Sequence, residues 1–230
     1  MATKPPIRIE GPITGVFEEF VYTFTLKSFK ITNTRSVHED TDYVSIAVAV
    51  GTNPPITVPT KAMGNLNNGT YKVNLSIANV NVSAAQPVAF SYSILNSGYN
   101  QDTVEEVLQK VCSAAASKGA SAAAAGGGAA IGGPVGSVIG AVGTAAAGWV
   151  LGKLEGIIFA DCDGSVAAGD HLFTGAQLAQ QTAGGKIITV TDDNKGSNSP
   201  DGCGSNSRYY ATWSISAKAK LKIPVAAMRT

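Results

Sequence analysis

The sequence is short of charge. Charged residues make up 14% of the 230 positions, and 17 basic against 16 acidic side chains leave a formal net charge of +1. This balance gives no overall field to hold nucleic acid or an anionic membrane, so no nucleic-acid partner is expected. The 26 glycines lack the every-third-residue period of collagen. Aromatic and β-branched residues run through both ends of the chain, which excludes disorder throughout.

Cysteine is also scarce. Cys112, Cys162 and Cys203 form no C-x-x-C pair, which argues against a structural zinc site. The first residues contain no apolar run of the kind found in secretory signals, so we expect cytoplasmic synthesis as a soluble protein, with release by another route left open. In a reducing cytosol three free thiols are expected, whereas Cys162 and Cys203 could pair in an oxidising compartment.

Catalytic motifs are missing from the sequence. There is no G-x-S-x-G nucleophile elbow. Gly184-Gly185-Lys186 is followed by Ile187 rather than serine or threonine, so it is not a phosphate-binding P-loop. With only two histidines in the chain, acid–base catalysis has few candidates. We therefore expect a non-enzymatic protein that needs no cofactor.

One weak metal pattern remains. His38 and Asp40 form an H-x-D pair, and His171 is available as a distal partner. This set resembles the two-histidine, one-carboxylate iron site of β-sandwich oxygenases. No arginine lies between His171 and Arg208 to bind an oxoacid cosubstrate, so a solvated turn around His38 is the favoured interpretation.

Several loop carboxylates could in principle bind calcium, although none forms an EF-hand loop. Turn formation or helix capping is the favoured role for each of them. They are Asp40 with Asp42, Asp161 with Asp163 and Asp170, and Asp192 with Asp193.

Both ends of the chain have strand patterns. Apolar and polar residues alternate in short segments separated by Asn-, Gly- and Pro-rich turns. The predicted strands cover 16–26, 43–50, 71–77, 88–95, 186–191 and 208–223. We predict a mainly β fold, an antiparallel β-sandwich in which each sheet has one solvent-exposed face. Its first part is 1–101, its last part is 161–230, and a helical hairpin is inserted at 102–160.

The inserted segment is rich in glycine and alanine. Thr103 and Glu106 have capping-box spacing at its start. From Gly119 to Gly152 there are 34 residues without an ionisable side chain, including 11 glycines and 11 alanines. Because Pro134 is suited to open a second helix, we predict helices over 103–130 and 135–159.

Glycines in this hairpin recur at intervals of four. The series is Gly128, Gly132, Gly136, Gly140, Gly148, Gly152 and Gly156, with Thr144 filling the gap. This spacing leaves a groove without side chains along the second predicted helix, and Trp149 lies with the apolar residues on the opposite side. The segment resembles the glycine zippers of membrane-active and pore-forming bacterial proteins. The resemblance implies contact with membrane lipid and self-association through the hairpin.

Three functions are open from the sequence. The first is a membrane-interacting, toxin-like protein that stores an apolar hairpin. The second is a soluble carbohydrate- or protein-binding module with a purely structural hairpin, in which Tyr209 and Trp213 share one face of a strand and Tyr210 faces the other way. If exposed, Tyr209 and Trp213 would stack on sugar rings, although burial in the core is favoured. The third is the iron oxygenase.

Overall fold

The computed structural model describes residues 20–98, 101–125, 162–196 and 206–219. Within these ranges the chain is mainly β. The strands are β1 (Phe20–Asn33), β2 (Asp40–Val50), β3 (Ile56–Thr57), β4 (Lys61–Leu66), β5 (Gly69–Val82), β6 (Pro87–Asn96), β7 (Gly164–Thr174), β8 (Ile188–Lys195) and β9 (Arg208–Ala219). The helices are α1 (Gln101–Ala125) and α2 (Gly175–Gln181), and a 3₁₀ turn covers Ala183–Gly185.

The first sheet, sheet A, has the strand order β5–β1–β9–β8 and is antiparallel throughout. Its central strand β1 joins both ends of the chain, because Leu26 lies opposite Leu75 of β5 on one side and Trp213 of β9 on the other. Alternate residues of β1, such as Tyr22 and Phe24, are fully buried. The alternation of buried and more exposed residues along β1 therefore fixes which face of the strand meets the core.

The second sheet, sheet B, has the order β3–β2–β6–β7 and is also antiparallel. Strand β4 pairs with the first half of β2, and β3 pairs with Ala47 and Val48 further along the same strand. Strand β7 follows the central insertion, so sheet B too combines segments from both sides of it.

The two sheets face each other across one hydrophobic core. Aromatic rings connect them, with the ring centroids of Phe24 and Phe90 5.8 Å apart and those of Phe90 and Trp213 5.7 Å apart. Burial of such large apolar side chains is the main force holding the sheets together.

Helix α1 covers the outer face of sheet B. Val104 and Leu108 pack with Tyr43 and Leu95 near the start of the helix. Strands β2 and β6 are consequently buried on both faces over most of their length. The prediction of one solvent-exposed face per sheet is therefore wrong for sheet B, because strand alternation does not reveal a helix packed on the polar face.

The predicted first helix corresponds to α1, which the structure describes up to Ala125. The remainder of the predicted hairpin, residues 126–161, lies outside the described residues. No helix in the described ranges combines the length and hydropathy required to cross a bilayer.

Strands β3, β4 and β7 and helix α2 have no counterpart in the sequence prediction. Strand β7 is rich in glycine and alanine, which are poor strand formers, and it suits its position because Gly169 leaves the space that the ring of Tyr92 occupies. Helix α2 begins with a capping box between Thr174 and Gln177. The T-x-x-Q pattern was the available signal for this helix.

Candidate functional site: the sheet face beneath helix α1

The glycine series at the centre of the sequence argument lies outside the described residues. This applies to Gly128, Gly132, Gly136, Gly140, Gly148, Trp149, Gly152 and Gly156. What the structure does describe is the helix that leads into this series and the sheet face on which the helix rests.

The aromatic pair considered for sugar binding is part of the core. Tyr209 and Trp213 are both fully buried, so neither offers a face to a sugar ring. The alternation of β9 instead places the neighbouring Tyr210 on the outer face of sheet A, where its side chain is partly exposed. The idea of Tyr209 and Trp213 as a stacking surface is thus corrected, since their face of β9 is the one that meets sheet B.

Trp213 belongs to a buried hydrogen-bond cluster centred on Asp192. One carboxylate oxygen of Asp192 accepts hydrogen bonds from Trp213 Nε1 at 3.0 Å and from Tyr92 Oη at 2.8 Å, and it lies 2.9 Å from His171 Nε2. Burial opposes ionisation of Asp192, but these bonds and the charge interaction with His171 together lower its pKa. The ring of His171 lies 4.2 Å from that of Trp213.

This cluster is a structural network that ties strand β8 to the core. His171 is 4% exposed, so a substrate in solution does not reach its ring. Buried polar networks of this type fix a single arrangement of the side chains around them.

The three residues considered for iron are not brought together. His38 is exposed on the turn before β2, whereas Asp40 is buried and accepts hydrogen bonds from the backbone N–H groups of Arg35 and Ser36. His171 is committed to Asp192. In the described ranges no group of three His, Cys, Asp or Glu side chains is arranged to hold a metal ion. The structure therefore does not bring the three residues of the oxygenase pattern together, and Asp40 organises a turn instead.

The other loop carboxylates considered for calcium bind protein groups of other segments where they are described. Asp163 accepts hydrogen bonds from the hydroxyl of Ser97 and the backbone N–H of Gly98, both at 2.8 Å. Asp193 forms a two-bond ion pair with Arg208. Neither carboxylate forms the turn or helix cap expected from the sequence, because each contact joins residues that are distant in the chain.

The two cysteines in the described ranges differ in whether they form a disulfide. Cys162 is disulfide-bonded, whereas Cys112 is a free, buried thiol. The third cysteine, Cys203, lies outside the described residues. The expectation of three free thiols is therefore wrong for Cys162.

Helix α1 contacts sheet B through one stripe of residues that narrows along its length. Larger side chains occupy the first half of the stripe, and small ones follow it. The stripe consists of Val104, Leu108, Val111, Cys112, Ala115, Ala116, Gly119 and Ala120. At Gly119 the approach is closest, since a Cβ there would lie 2.8 Å from Leu172 Cδ2 and 3.2 Å from the Cβ of Ala89.

Polar side chains occupy the middle of the covered sheet face. Ser45, Ser91 and Ser93 lie on β2 and β6, and Asp170 lies opposite Ser91 on β7. All four are buried. The thiol of Cys112 lies 3.6 Å from the carbonyl oxygen of Ser45, so the free cysteine of α1 sits on this polar patch.

Several atoms of the patch have no hydrogen-bond partner within the described part of the chain. They are one carboxylate oxygen of Asp170 and the hydroxyl oxygens of Ser45 and Ser93. The other oxygen of Asp170 accepts a short hydrogen bond from Ser91. Burial raises the pKa of Asp170, against the opposing effects of Ser91 and His171. An unpaired buried polar group costs about 1–3 kcal/mol, so this patch weakens the packing of α1.

The sequence pattern at this patch predicts a solvent-exposed face rather than a buried one. Ser91 and Ser93 alternate with Phe90, Tyr92 and Ile94, the pattern of a strand with one face in water. Comparison of the chain with protein-family models and with curated proteins finds no match. The interpretation of the covered face therefore rests on its own geometry.

Proposed function

We propose that the protein is a non-enzymatic, membrane-interacting protein of toxin-like type. In this proposal α1 and the Gly/Ala-rich segment after it form a hairpin that is stored against sheet B. The hairpin leaves the sheet at a bilayer surface and enters the lipid, where it self-associates. The observation that carries the proposal is the polar, incompletely hydrogen-bonded sheet face beneath α1.

The covered face favours release of the helix. Ser45, Ser93 and Asp170 would regain hydrogen bonds to water once α1 departs, which offsets part of the apolar contact that is lost. The serines alternate with core residues as they do on an ordinary solvent-exposed face, so sheet B can keep its strand pairing without the helix.

The end of α1 nearest the uncharged segment is also the end with least apolar contact area. The contact there is made by Ala115, Ala116 and Ala120, each of which buries a single methyl group against the sheet. Since apolar burial contributes roughly 25 cal/mol per Å², this half of the helix is held less strongly than the half with Val104 and Leu108. Release would therefore start at the end that continues into the glycine series.

In a bilayer the glycines would have a direct use. A core of about 30 Å needs about 20 apolar residues of helix. The second predicted helix has that length, whereas the described part of α1 lacks the required hydropathy. Alanine and glycine gain little from transfer into lipid, so close backbone packing between helices must add to the stability of the inserted state. Lys153 and Glu155 would then be placed at the interface rather than in the hydrocarbon core.

The test is dye release from vesicles by a protein whose helix can be locked. Cysteines at positions 89 and 119 are close enough for a cross-link, because the Cβ positions lie 3.2 Å apart, a little closer than the mean Cβ separation of about 3.8 Å in disulfides. The end of the Leu172 side chain must shift to admit the new Cβ. The double variant Ala89→Cys/Gly119→Cys is made in a Cys112→Ala background. It is assayed oxidised and reduced, on phosphatidylcholine vesicles with and without phosphatidylglycerol.

We expect the wild-type protein to release dye, the oxidised double variant to release little, and reductant to restore release by the same sample. The wild-type protein with reductant controls for reduction of the Cys162 disulfide, and circular dichroism of both forms of the variant checks folding. Equal release by the oxidised and reduced variant would overturn the stored hairpin. Failure of the wild-type protein to release dye or bind any vesicle would overturn the membrane function.

A further inference from the structure

The outer face of sheet A is rich in hydroxyl groups. Residues that point outward from its four strands are mainly threonine and serine, which have one hydroxyl each. Among them are Thr25, Ser28, Thr70, Ser76, Thr189, Thr191, Thr212 and Ser214, all exposed or partly exposed. No described helix packs on this face, in contrast to sheet B.

These hydroxyls form rows across the strands. Thr25 of β1 lies opposite Ser76 of β5 and Ser214 of β9, and Ser214 lies opposite Thr189 of β8. Neighbouring hydroxyls hydrogen-bond to each other at 2.8 Å in the pair Thr25–Ser76, and Thr191–Thr212 forms a second pair at the same distance. Each hydroxyl retains further donor or acceptor capacity for a ligand.

A shallow groove crosses this face. Its volume is about 350 Å³, and it is lined by Ser28, Lys30, Thr70, Thr191, Tyr210 and Thr212. The Tyr210 ring is held from one side by the guanidinium of Arg208, whose carbon lies 5.3 Å from the ring centroid. Arg208 is itself fixed by Asp193 at 2.8 Å. The groove thus combines one oriented aromatic ring, one ammonium group and four hydroxyls.

Basic side chains are concentrated on sheet A. Its strands contain six basic residues and two acidic ones, whereas sheet B with α1 contains three lysines and six acidic residues, of which Asp40, Asp42 and Asp170 are buried. Of the two acidic residues in sheet A, Asp192 points into the core and Asp193 is paired with Arg208. The outer face of sheet A is therefore basic although the chain as a whole is almost neutral.

We propose that the outer face of sheet A binds an acidic oligosaccharide, with the groove at Tyr210 as the main subsite. The hydroxyl rows match the hydroxyl groups of a sugar chain, and the Tyr210 ring offers a surface for the apolar side of a sugar. Lys30 and Lys72 are placed to bind its carboxylate groups. This function is independent of the stored hairpin, since α1 lies on the opposite sheet.

A glycan is favoured over other anionic partners by the composition of the face. A surface for single-stranded nucleic acid uses several aromatic rings for base stacking, and among its described residues the groove has only Tyr210. Insertion into a lipid surface uses exposed large apolar side chains, and the groove lining has none. Hydroxyls, one ring and separated lysines suit a polyhydroxylated chain with spaced negative charges.

The experiment is titration calorimetry with a hexamer of galacturonic acid and with its neutral methyl ester. We expect binding of the acidic hexamer and much weaker binding of the ester. Tyr210→Ala and Lys30→Ala should each weaken binding by about 5-fold, as expected for a lost interaction worth about 1 kcal/mol. Lys110→Ala is the matched control, because Lys110 is 73% exposed on α1 and its removal changes charge equally without touching sheet A.

Unchanged affinity in the Lys110→Ala protein, together with the losses in the other two variants, would support the proposal. Equal losses in Lys30→Ala and Lys110→Ala, with no loss in Tyr210→Ala, would reduce the effect to net charge and overturn it. Absence of binding to the acidic hexamer would overturn it as well, as would binding of phosphatidylglycerol vesicles through Lys30 and Tyr210 without glycan binding. The oxidised Ala89→Cys/Gly119→Cys protein should bind the hexamer normally even though it releases no dye.

Discussion

The hydroxyl of Tyr209 donates a hydrogen bond of 2.7 Å to a buried carboxylate oxygen of Asp40. The same hydroxyl lies 2.9 Å from a carboxylate oxygen of Asp42. A phenol has one proton, so it can donate to only one of the two carboxyl groups. Asp40 also accepts two backbone N–H bonds, which marks it as the ionised partner.

Asp42 must then supply the proton for its own contact with Tyr209. Burial raises the pKa of Asp42 well above its usual range, and the neighbouring charge of Asp40 raises it further, while the contact with Tyr209 acts in the opposite direction. Two carboxyl groups in one site are thereby divided into an ionised acceptor and a neutral donor. This arrangement joins the end of β9 to the start of β2.

We predict that this pair makes stability depend on pH through Asp42. The pKa of Asp42 is higher in the folded state than in the unfolded state. The stabilisation is therefore fully present below the unfolded-state pKa and is lost as the pH rises through the folded-state pKa. The Asp42→Asn amide can donate to Tyr209 at every pH, so this variant should lose less stability between pH 5 and pH 8 than the wild type, in urea denaturation. Identical pH dependence in the two proteins would contradict the assignment of the proton.

Asp40→Asn is the paired variant and should behave differently. Its amide nitrogen cannot accept a hydrogen bond, so at least one of the donors from Arg35, Ser36 and Tyr209 loses its partner. We expect a loss of about 1–3 kcal/mol in the free energy of unfolding at neutral pH. An unchanged free energy of unfolding in Asp40→Asn would show that the turn does not depend on the carboxylate.

The second prediction concerns the cluster at Asp192. Asp192→Ala removes the acceptor for Trp213, Tyr92 and His171, so we expect a cost of about 2–4 kcal/mol. With Trp149→Phe in the background, Trp213 is the only tryptophan, and its emission should shift to longer wavelength as water enters. Asp193→Ala is the control, because its exposed ion pair with Arg208 is worth about 0–1 kcal/mol and lies away from Trp213.

The wild-type cluster also predicts acid sensitivity. Folding lowers the pKa of Asp192 from 3.8. The stability that ionised Asp192 contributes is therefore present above pH 3.8 and is lost as the pH falls through the lowered, folded-state pKa. Asp192→Ala should therefore flatten the acid limb of a thermal stability curve, whereas Asp193→Ala should shift it only slightly. An unchanged acid limb in Asp192→Ala would contradict the role given to this carboxylate.

The features of the fold that could be predicted from the sequence are those set by residues close together in the chain. The alternation in β2 and β5 predicted strands, and the capping-box spacing of Thr103 and Glu106 predicted a helix that begins within two residues of the start of α1, because both patterns act over a few residues. The same alternation grouped Tyr209 with Trp213 and separated Tyr210. It could not tell which group meets the core, since that depends on the strands of the other sheet.

The features that matter for function are set by distant parts of the chain. Ser91 and Ser93 read as a solvent-exposed face, and only the packing of α1 turns them into buried groups. The concentration of basic residues on sheet A is not visible in the net charge of +1. It appears only when the strands are assigned to their sheets. Tyr210 acquires its role from Lys30 and Thr191, which come from other strands.

The third prediction is a thiol count. In denaturant without reductant the chain should show one reactive thiol, that of Cys112, and three after reduction. Cys112 is buried and its thiol pKa is raised by burial and by the charge of Asp170, so in the folded protein it should react slowly. Three thiols without reductant would contradict the disulfide at Cys162.

The last prediction tests the polar patch beneath α1. Burial raises the pKa of Asp170, so folding favours its neutral form and the associated stabilisation is lost as pH rises through the folded pKa. Asp170→Asn has a similar shape and cannot ionise, so it should stabilise the protein at pH 7.5 by about 1 kcal/mol, or roughly 2–4 °C in Tm.

The gain should be located in the helix. Hydrogen exchange at pH 7.5 should be slower across α1 in Asp170→Asn than in the wild type, with little change in β1 and β5 of the opposite sheet. If α1 is the element that opens, vesicle dye release should fall in the same variant. Asp163→Asn is the control, because Asp163 bonds to Ser97 and Gly98 rather than facing α1. Slower exchange spread evenly over both sheets would instead assign Asp170 to global stability.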